Sequence, residues 1–546
     1  MIPLLHDLLP LAPLVLPVMF LAVCLVPRAR RLLPLALGIL PLPGAAAALL
    51  GDGTGPLALA WLPWQPVFAI DRPGALLLGT AALLWSAAGF CVPAFFRGRP
   101  VSRVFCIFWV LTLIGSLGIF VAADLAAFLM CYVLVSLPAY ALIIADESPA
   151  ARRAGSVYLA FALLGEALLL MGLVMLTLSA PEAGPGIREL VAAMESRGTW
   201  GNLTLALLVA AFGMKIALVP FHFWMPLTYA AAPIPVAAVL SGAAVKAGII
   251  GLIRFIPWSE AAPVLGQVLV VVGFTGAFFG VLVGVTQRDP KAVLAYSSIS
   301  QMGFLAAVFG MGVLEAVGEI GTMTAFYAAQ HVLVKGALFL AVGAAAWQIP
   351  FRKSLILLPA AIAGLGLAGL PLSGGSLAKE AVKGAMGGGW PGALSVLSAV
   401  GSAFLMWHFL GRLMQSTKER QATKQDTVVV AAWLVLAAGS IVIPWLLFAP
   451  SDLGSPFGTL ALSALWSNLW PVLAGGALAW LWNSALRCGP AIPAGDIAAF
   501  GEPLQRTALA GAECTVSLDR WLRQWTVACL VLLLLIGALV VGALPW

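Results

Sequence analysis

The sequence predicts an all-α polytopic membrane protein of about sixteen transmembrane helices, arranged as two inverted five-helix repeats with broken helices 7 and 12. Three observations carry this reading. Hydrophobic residues make up 62% of the 546 and charged residues 9%, with a mean hydropathy of +1.05, far from the balance of a soluble domain. Apolar runs of roughly 20 residues, each able to cross a ~30 Å hydrocarbon core, recur from end to end. Two of these runs, five apart, are interrupted by Pro and Gly. A β-barrel would instead show alternating strands of about ten residues.

Segments 1 to 3, at 3–26, 32–50 and 73–95, form an N-terminal region, residues 1–102. The first lacks a basic n-region and a clear cleavage site, so it reads as a retained helix. Segments 4 to 8, at 103–121, 123–144, 153–178, 201–219 and 233–256, form a first repeat, residues 103–258. Segments 9 to 13, at 264–286, 292–312, 319–347, 355–384 and 389–411, form a second, residues 259–412. Segments 14 to 16, at 427–448, 459–482 and 525–544, lie in a C-terminal region, residues 413–546, with a connector at 485–524 read as a cytoplasmic amphipathic element. That connector is either a docking surface for neighbouring subunits or a solvated linker.

Charge supports the count. Arg28, Arg30 and Arg31 follow segment 1; Arg97, Arg99 and Arg103 follow segment 3; Arg152 and Arg153 follow segment 5. The pattern continues with Arg288 and Lys291 after segment 9, and Arg352 and Lys353 after segment 11. Arg412, Lys418, Arg420 and Lys424 follow segment 13, and Arg487 follows segment 15. Nearly every basic cluster therefore falls after an odd-numbered segment. The positive-inside rule makes those loops cytoplasmic and puts both termini on the other side of a bacterial-type inner membrane. The net charge of +7 is thus a topology signal and implies no nucleic acid partner.

Segment 7 runs into Pro220-Phe221-His222-Phe223-Trp224-Met225-Pro226, and segment 12 contains Gly369-Leu370-Pro371-Leu372-Ser373-Gly374-Gly375. In lipid, freed backbone groups are tolerated only where protein or water satisfies them again. Breaks at matching points of two halves point to an ion site. Two units of five helices have opposite orientations, because five is odd.

Lys215, Lys246, Lys335 and Lys379 fall inside apolar segments. A lysine at mid-bilayer costs at least ~3 kcal/mol on insertion scales, which makes each a candidate functional group. For Lys215 the competing reading is snorkelling toward the interface. Lys246 lies about thirteen residues into its segment, beyond easy snorkelling. His331 and Lys335, four apart, share a helix face, where a neutral imidazole beside an ammonium suits proton transfer. Lys379 and Glu380 are adjacent and point in different directions, so at most one faces an interior axis. His222 either feeds protons inward or caps exposed backbone, and Asp124 either serves an outer opening or caps its helix. Ser297 and Ser298 either hydrate the axis or bond their own helix. His408 and His6 read as isolated residues near helix ends.

The seven cysteines form no C-x-x-C and no cluster with His, so no metal site, iron–sulfur site or disulfide framework is expected. There is no phosphate-binding loop, dinucleotide fingerprint or haem motif; no cofactor and no redox or hydrolytic centre is expected within the chain.

The runs Gly213-Met214-Lys215, Pro220 to Pro226, Ala232-Pro233-Ile234-Pro235-Val236 and Val245-Lys246-Ala247-Gly248 carry a resemblance. So do Asp289-Pro290-Lys291, Leu294 to Gly303, His331 with Lys335, and Gly369-Leu370-Pro371 with Lys379-Glu380. Over roughly 70–410 the chain resembles the antiporter-like membrane subunits of proton-pumping NADH:quinone oxidoreductase, energy-converting membrane hydrogenases and Mrp-type sodium/proton antiporters. The resemblance implies fourteen core helices with two inverted repeats and additional terminal helices. It also implies a hydrated axis of Lys, His and Glu that relays protons or Na+, and partners that are other membrane subunits. Any quinone or iron–sulfur chemistry would belong to those partners. The alternatives are a proton-conducting partner of a non-redox ion or inorganic-carbon uptake complex, and a structural subunit with no working channel.

The chain departs from that family at two positions. Val133 stands where relatives carry a Glu in segment 5, and Leu227 where an Asp often follows. Glu166, mid-way along segment 6, is the candidate substitute partner for Lys215. The competing reading pairs it with another polar group.

Overall fold

The computed structural model describes residues 6–25, 33–51, 53–62, 64–96, 101–180, 184, 186–194, 198–258, 263–346, 353–415, 424–451, 453–485 and 492. All described elements lie within the unit Met1–Ala494. The connector beyond Ala485, save Ile492, and segment 16 lie outside the described residues. So do Arg28, Arg30, Arg31, Arg97, Arg99, Arg352, Lys418, Arg420 and Arg487.

The N-terminal region gives α1 (Ala12–Leu25), α2 (Leu33–Ile39), α3 (Leu42–Leu50) and α4 (Arg72–Phe95). The next five segments give α5 (Arg103–Gly118), α6 (Leu125–Ile143), α7 (Pro149–Ser179), the pair α9 (Gly198–Lys215) and α10 (Trp224–Ala231), and the pair α11 (Ile234–Val239) and α12 (Lys246–Phe255). A short α8 (Ile187–Met194) precedes α9. The following five give α13 (Pro263–Gly284), α14 (Pro290–Leu314), α15 (Ile320–Ala346), the pair α16 (Lys353–Leu367) and α17 (Gly374–Met386), and α18 (Gly389–Gln415). Then come α19 (Lys424–Phe448) and α20 (Leu462–Ala485). Segments 1 to 15 each overlap a helix. Among the described residues, nine helices are long and apolar enough to cross a membrane, and four shorter apolar helices accompany them.

The chain departs from the expected continuous helices in four places. Segment 2 divides at Leu40–Pro41. Segment 8 contains a π-helical turn over Leu240–Ala244. The other two are additions between segments: α8, and a two-stranded antiparallel hairpin of β1 (Leu57–Ala58) and β2 (Val67–Phe68). The hairpin is anchored by Asp124, whose carboxylate accepts from Val67 N, and its turn leaves Trp61 and Trp64 exposed.

The innermost layer consists of the Ile234–Phe255 segment, α14 and α15, whose apolar windows are wholly buried. α13 lies against α14 through facing glycines. A Cβ on Gly273 would come 2.6 Å from Gly303 O, and one on Gly303 would come 2.6 Å from Gly273 O. Lipid tails offer no hydrophobic drive between helices, so such close backbone approach supplies the packing energy. α7 is the opposite case: Leu163, Leu164, Met171 and Leu178 stand exposed along it.

Candidate functional site

Both interrupted helices end in the same backbone device. At the end of α9, Leu218 N donates to Gly213 O (2.9 Å) and Ala217 N to Met214 O (3.2 Å), with Ala217 at φ +56°. At the end of α16, Leu370 N donates to Leu365 O (3.0 Å) and Gly369 N to Gly366 O (2.9 Å), with Gly369 at φ +99°. These are Schellman closures, which stop a helix and satisfy part of its carbonyl end. The partial negative charge of that end favours a cation nearby. A lysine occupies each: Lys215 is the last residue of α9, and Lys379 reaches back from α17 to donate to Ala368 O. The second break is tightly built, since a Cβ on Gly375 would lie 1.7 Å from Gly366 O.

The third irregularity serves Lys246. The π-turn over Leu240–Ala244 ends two residues before it, and Lys246 Nζ donates to Ser241 O (3.3 Å). Its other neighbour is His331 Nδ1, at 2.8 Å. The Ser241 hydroxyl bonds that of Ser298 (3.0 Å), which donates to Leu294 O (3.1 Å); that carbonyl also accepts from Lys335 Nζ (2.9 Å). Ser298 thus bonds its own helix, the second of its two expectations, and also contacts the Ser241 hydroxyl. Lys246, His331 and Lys335 have no exposed surface. His331 Nε2 and, one residue earlier, Gln330 Nε2 are buried with no hydrogen-bond partner among the described residues. Gln330 Nε2 lies 3.5 Å from where a Cβ on Gly375 would stand, so α15 spans from the Lys246 group to the second break. Farther along, Gln301 Nε2 donates to Ser402 (2.9 Å) and its Oε1 accepts from Tyr327 (2.8 Å).

From sequence, Lys215 has two readings at each of two points. It does not snorkel; its Nζ donates to Ser136 Oγ at 2.6 Å and lies 5.1 Å from the Tyr132 ring centre. Nor does it form an ion pair with Glu166 within 4 Å. Glu166 Oε1 is instead buried with no hydrogen-bond partner among the described residues. A cavity of about 20 Å³ beside the Lys215 side chain is lined by Ser136, Tyr158, Gly165 and Lys215 among others. It is large enough for about one water.

The remaining candidates separate into caps and contacts. Asp124 caps α6, accepting from Ala127 N (2.8 Å), and is nearly fully buried. His222 is buried with its ring 4.6 Å from that of Phe279. Lys379 and Glu380 diverge as expected at their tips, the first to Ala368 and the second to Lys383 (3.4 Å). Both nevertheless line one cavity of about 410 Å³ with Lys383, Ser395, Ser467 and Asn468. His408 is more than an isolated residue: it is buried, 2.9 Å from Gln287 O.

Sequence reading missed Ser136, Ser241, Gln301, Gln330 and Arg254. Buried Arg254 donates to Ile119 O (3.0 Å), Phe120 O (2.6 Å), Ala122 O (2.5 Å) and Asp71 Oδ1 (3.1 Å), tying the end of α12 to the turn after α5 and the cap of α4. A basic residue in an apolar segment was the available signal, overlooked because Arg254 sits near the segment's end.

A family model described as NADH:quinone oxidoreductase/Mrp antiporter, transmembrane, matches residues 122–405, just over half of the chain. An N-type subunit of the NADH-quinone oxidoreductase of Solidesulfovibrio magneticus is 31% identical over 408 residues, covering 69% of this chain and 79% of that protein. A Na(+)/H(+) antiporter subunit of Alkalihalophilus pseudofirmus is 29% identical over 294 residues, covering 52% of this chain and 57% of that protein. The chain spans little more than half the length of several such relatives. A solved chain of the Mrp complex from a Dietzia species has a TM-score of 0.69 at 20% identity, covering 87% of this chain and 98% of that one, which speaks to the fold.

Proposed function

The chain belongs to the transmembrane family of NADH:quinone oxidoreductase and Mrp antiporter subunits, and from that premise we propose that it relays protons across a membrane as a subunit of a larger membrane complex. The relay runs from Glu166 and Lys215, through Lys246, His331 and Lys335, to Lys379. Glu380 stands at one opening, on the cavity of about 410 Å³, and the buried His222 and Asp124 are the further candidates for entry or exit. The repeats are residues 103–258 and 259–412, related by inversion and each interrupted in its fourth segment. The membrane is the bacterial or archaeal cytoplasmic membrane, with both termini on its outer side. Partners are further membrane subunits, and any redox chemistry resides in them.

The observation that carries this reading is the contact between Lys246 and His331, 2.8 Å apart in a fully buried layer, joined through two serines to Lys335. Buried titratable groups of this kind are costly and are kept where charge must pass. The test has two parts. Affinity purification of the tagged full chain from membranes should bring further membrane subunits with it. That complex in sealed vesicles should carry protons under an imposed potential, and a complex lacking this chain should not. Co-purifying iron–sulfur subunits assign it to a redox complex; soluble non-redox partners assign it to an uptake complex. A chain that purifies alone and carries no protons contradicts the proposal.

A further inference from the structure

The first half of the chain lacks the carboxylate expected beside Lys215, and the groups that replace it are arranged around one hydroxyl. Ser136 Oγ accepts from Lys215 Nζ at 2.6 Å and donates to Tyr132 O at 2.8 Å. Tyr158 OH donates to Ser136 O at 3.0 Å, fixing the residue that carries the hydroxyl. The Tyr132 ring borders the ammonium, and Trp224 Nε1 caps Met214 O (3.1 Å), holding the end of α9 in place. The cavity of about 20 Å³ opens beside Ser136 and Gly165, the residue before Glu166. Charged and titratable groups facing the hydroxyl are Lys215 from α9, Glu166 and Tyr158 from α7, and Tyr132 from α6 itself.

Resting on the proton-relay reading, we infer that Ser136 is a proton-relay residue that couples Glu166 to Lys215, its hydroxyl rotating between the Tyr132 carbonyl and the Glu166 side. With the hydroxyl hydrogen on Tyr132 O, Ser136 holds the ammonium and the carboxylate stays apart. When the hydroxyl turns toward α7, its hydrogen is offered to the buried, unpartnered Oε1 of Glu166, while its oxygen still accepts from Lys215. A proton leaving the ammonium then enters the hydroxyl oxygen as the hydroxyl hydrogen passes toward the carboxylate. One proton is transferred in total, and serine is regenerated with its other hydrogen. A hydroxyl both donates and accepts, which the Val133 side chain, earlier on the same helix, cannot do.

The test compares proton flux in vesicles for the full complex carrying Ser136→Ala, Ser136→Thr, Lys246→Ala, or Glu166→Gln with and without Val133→Glu. Ser136→Ala should lower flux at least about tenfold and change its pH profile, and Ser136→Thr should restore both. Glu166→Gln should lose flux, and adding Val133→Glu, on the helix that carries Ser136, should recover part of it. Wild-type flux in Ser136→Ala, with flux abolished by Lys246→Ala, overturns the role of Ser136 and leaves the relay standing. Equal loss in Ser136→Ala and Ser136→Thr also overturns it, because only packing would then be at stake. Unchanged flux in Lys246→Ala rejects the relay itself.

Discussion

Lys246 Nζ and His331 Nδ1 stand 2.8 Å apart across the contact of the Ile234–Phe255 segment with α15, and neither residue has exposed surface. Two nitrogen bases at this distance share one hydrogen, so one donates while the other accepts. A proton can move between them without a side-chain rearrangement. His331→Gln keeps a group able to hydrogen-bond the lysine but removes the titratable ring. Proton flux should fall by about 100-fold, the usual scale for a lost proton-transfer group, with the complex still assembled on gel filtration.

The second break depends on backbone proximity. With a Cβ on Gly375 only 1.7 Å from Gly366 O, Gly375→Ala should force α16 and α17 apart and cost about 1–3 kcal/mol. Gly384→Ala, in the same helix with nothing within 4 Å of its Cβ, should instead stabilise by up to about 1 kcal/mol. Thermal unfolding in detergent distinguishes the two directions.

Arg254 should behave as an anchor. The guanidinium is buried while the Asp71 side chain keeps 31% exposure, so Arg254→Met chiefly leaves carbonyls unpaired and should cost about 1–3 kcal/mol in unfolding measurements. Arg254→Lys cannot reproduce the fork that reaches three carbonyls and Asp71 together, and should recover only part of the loss.

Much of this was legible in advance. Pro371 and the glycines around it announced the second break, and Lys246, too deep to snorkel, announced the buried layer. What the sequence hid was the identity of the partners. A carboxylate was the partner expected for Lys215, which is held instead by the Ser136 hydroxyl, and Lys246, Lys335 and Lys379 are held by the carbonyls of Ser241, Leu294 and Ala368. Backbone carbonyls leave no mark in a sequence. The π-turn that precedes Lys246 and the division of segment 2 were hidden for the same reason: hydropathy sets the length of an apolar run, not its hydrogen-bond register. Ser136 was visible but unremarked, since serine in an apolar helix usually bonds its own turn, as this one also does.

The cavity of about 410 Å³ beside Lys379 has a polar wall from α20, outside the stretch matched by the family model. Asn468→Cys should react with a membrane-impermeant, positively charged thiol reagent applied to the face on which α18 begins. Val435→Cys, exposed on the apolar surface of α19, should react only with a membrane-permeant maleimide. Peptide mass spectrometry locates each adduct.

Potential-driven proton uptake by vesicles holding the purified complex, wild type against Lys246→Ala at equal protein, asks most directly whether the buried amines carry charge through the membrane. The buried layer of Lys246, His331 and Lys335 predicts uptake in the wild type and only the leak of protein-free vesicles in the variant. Equal uptake in both would contradict it.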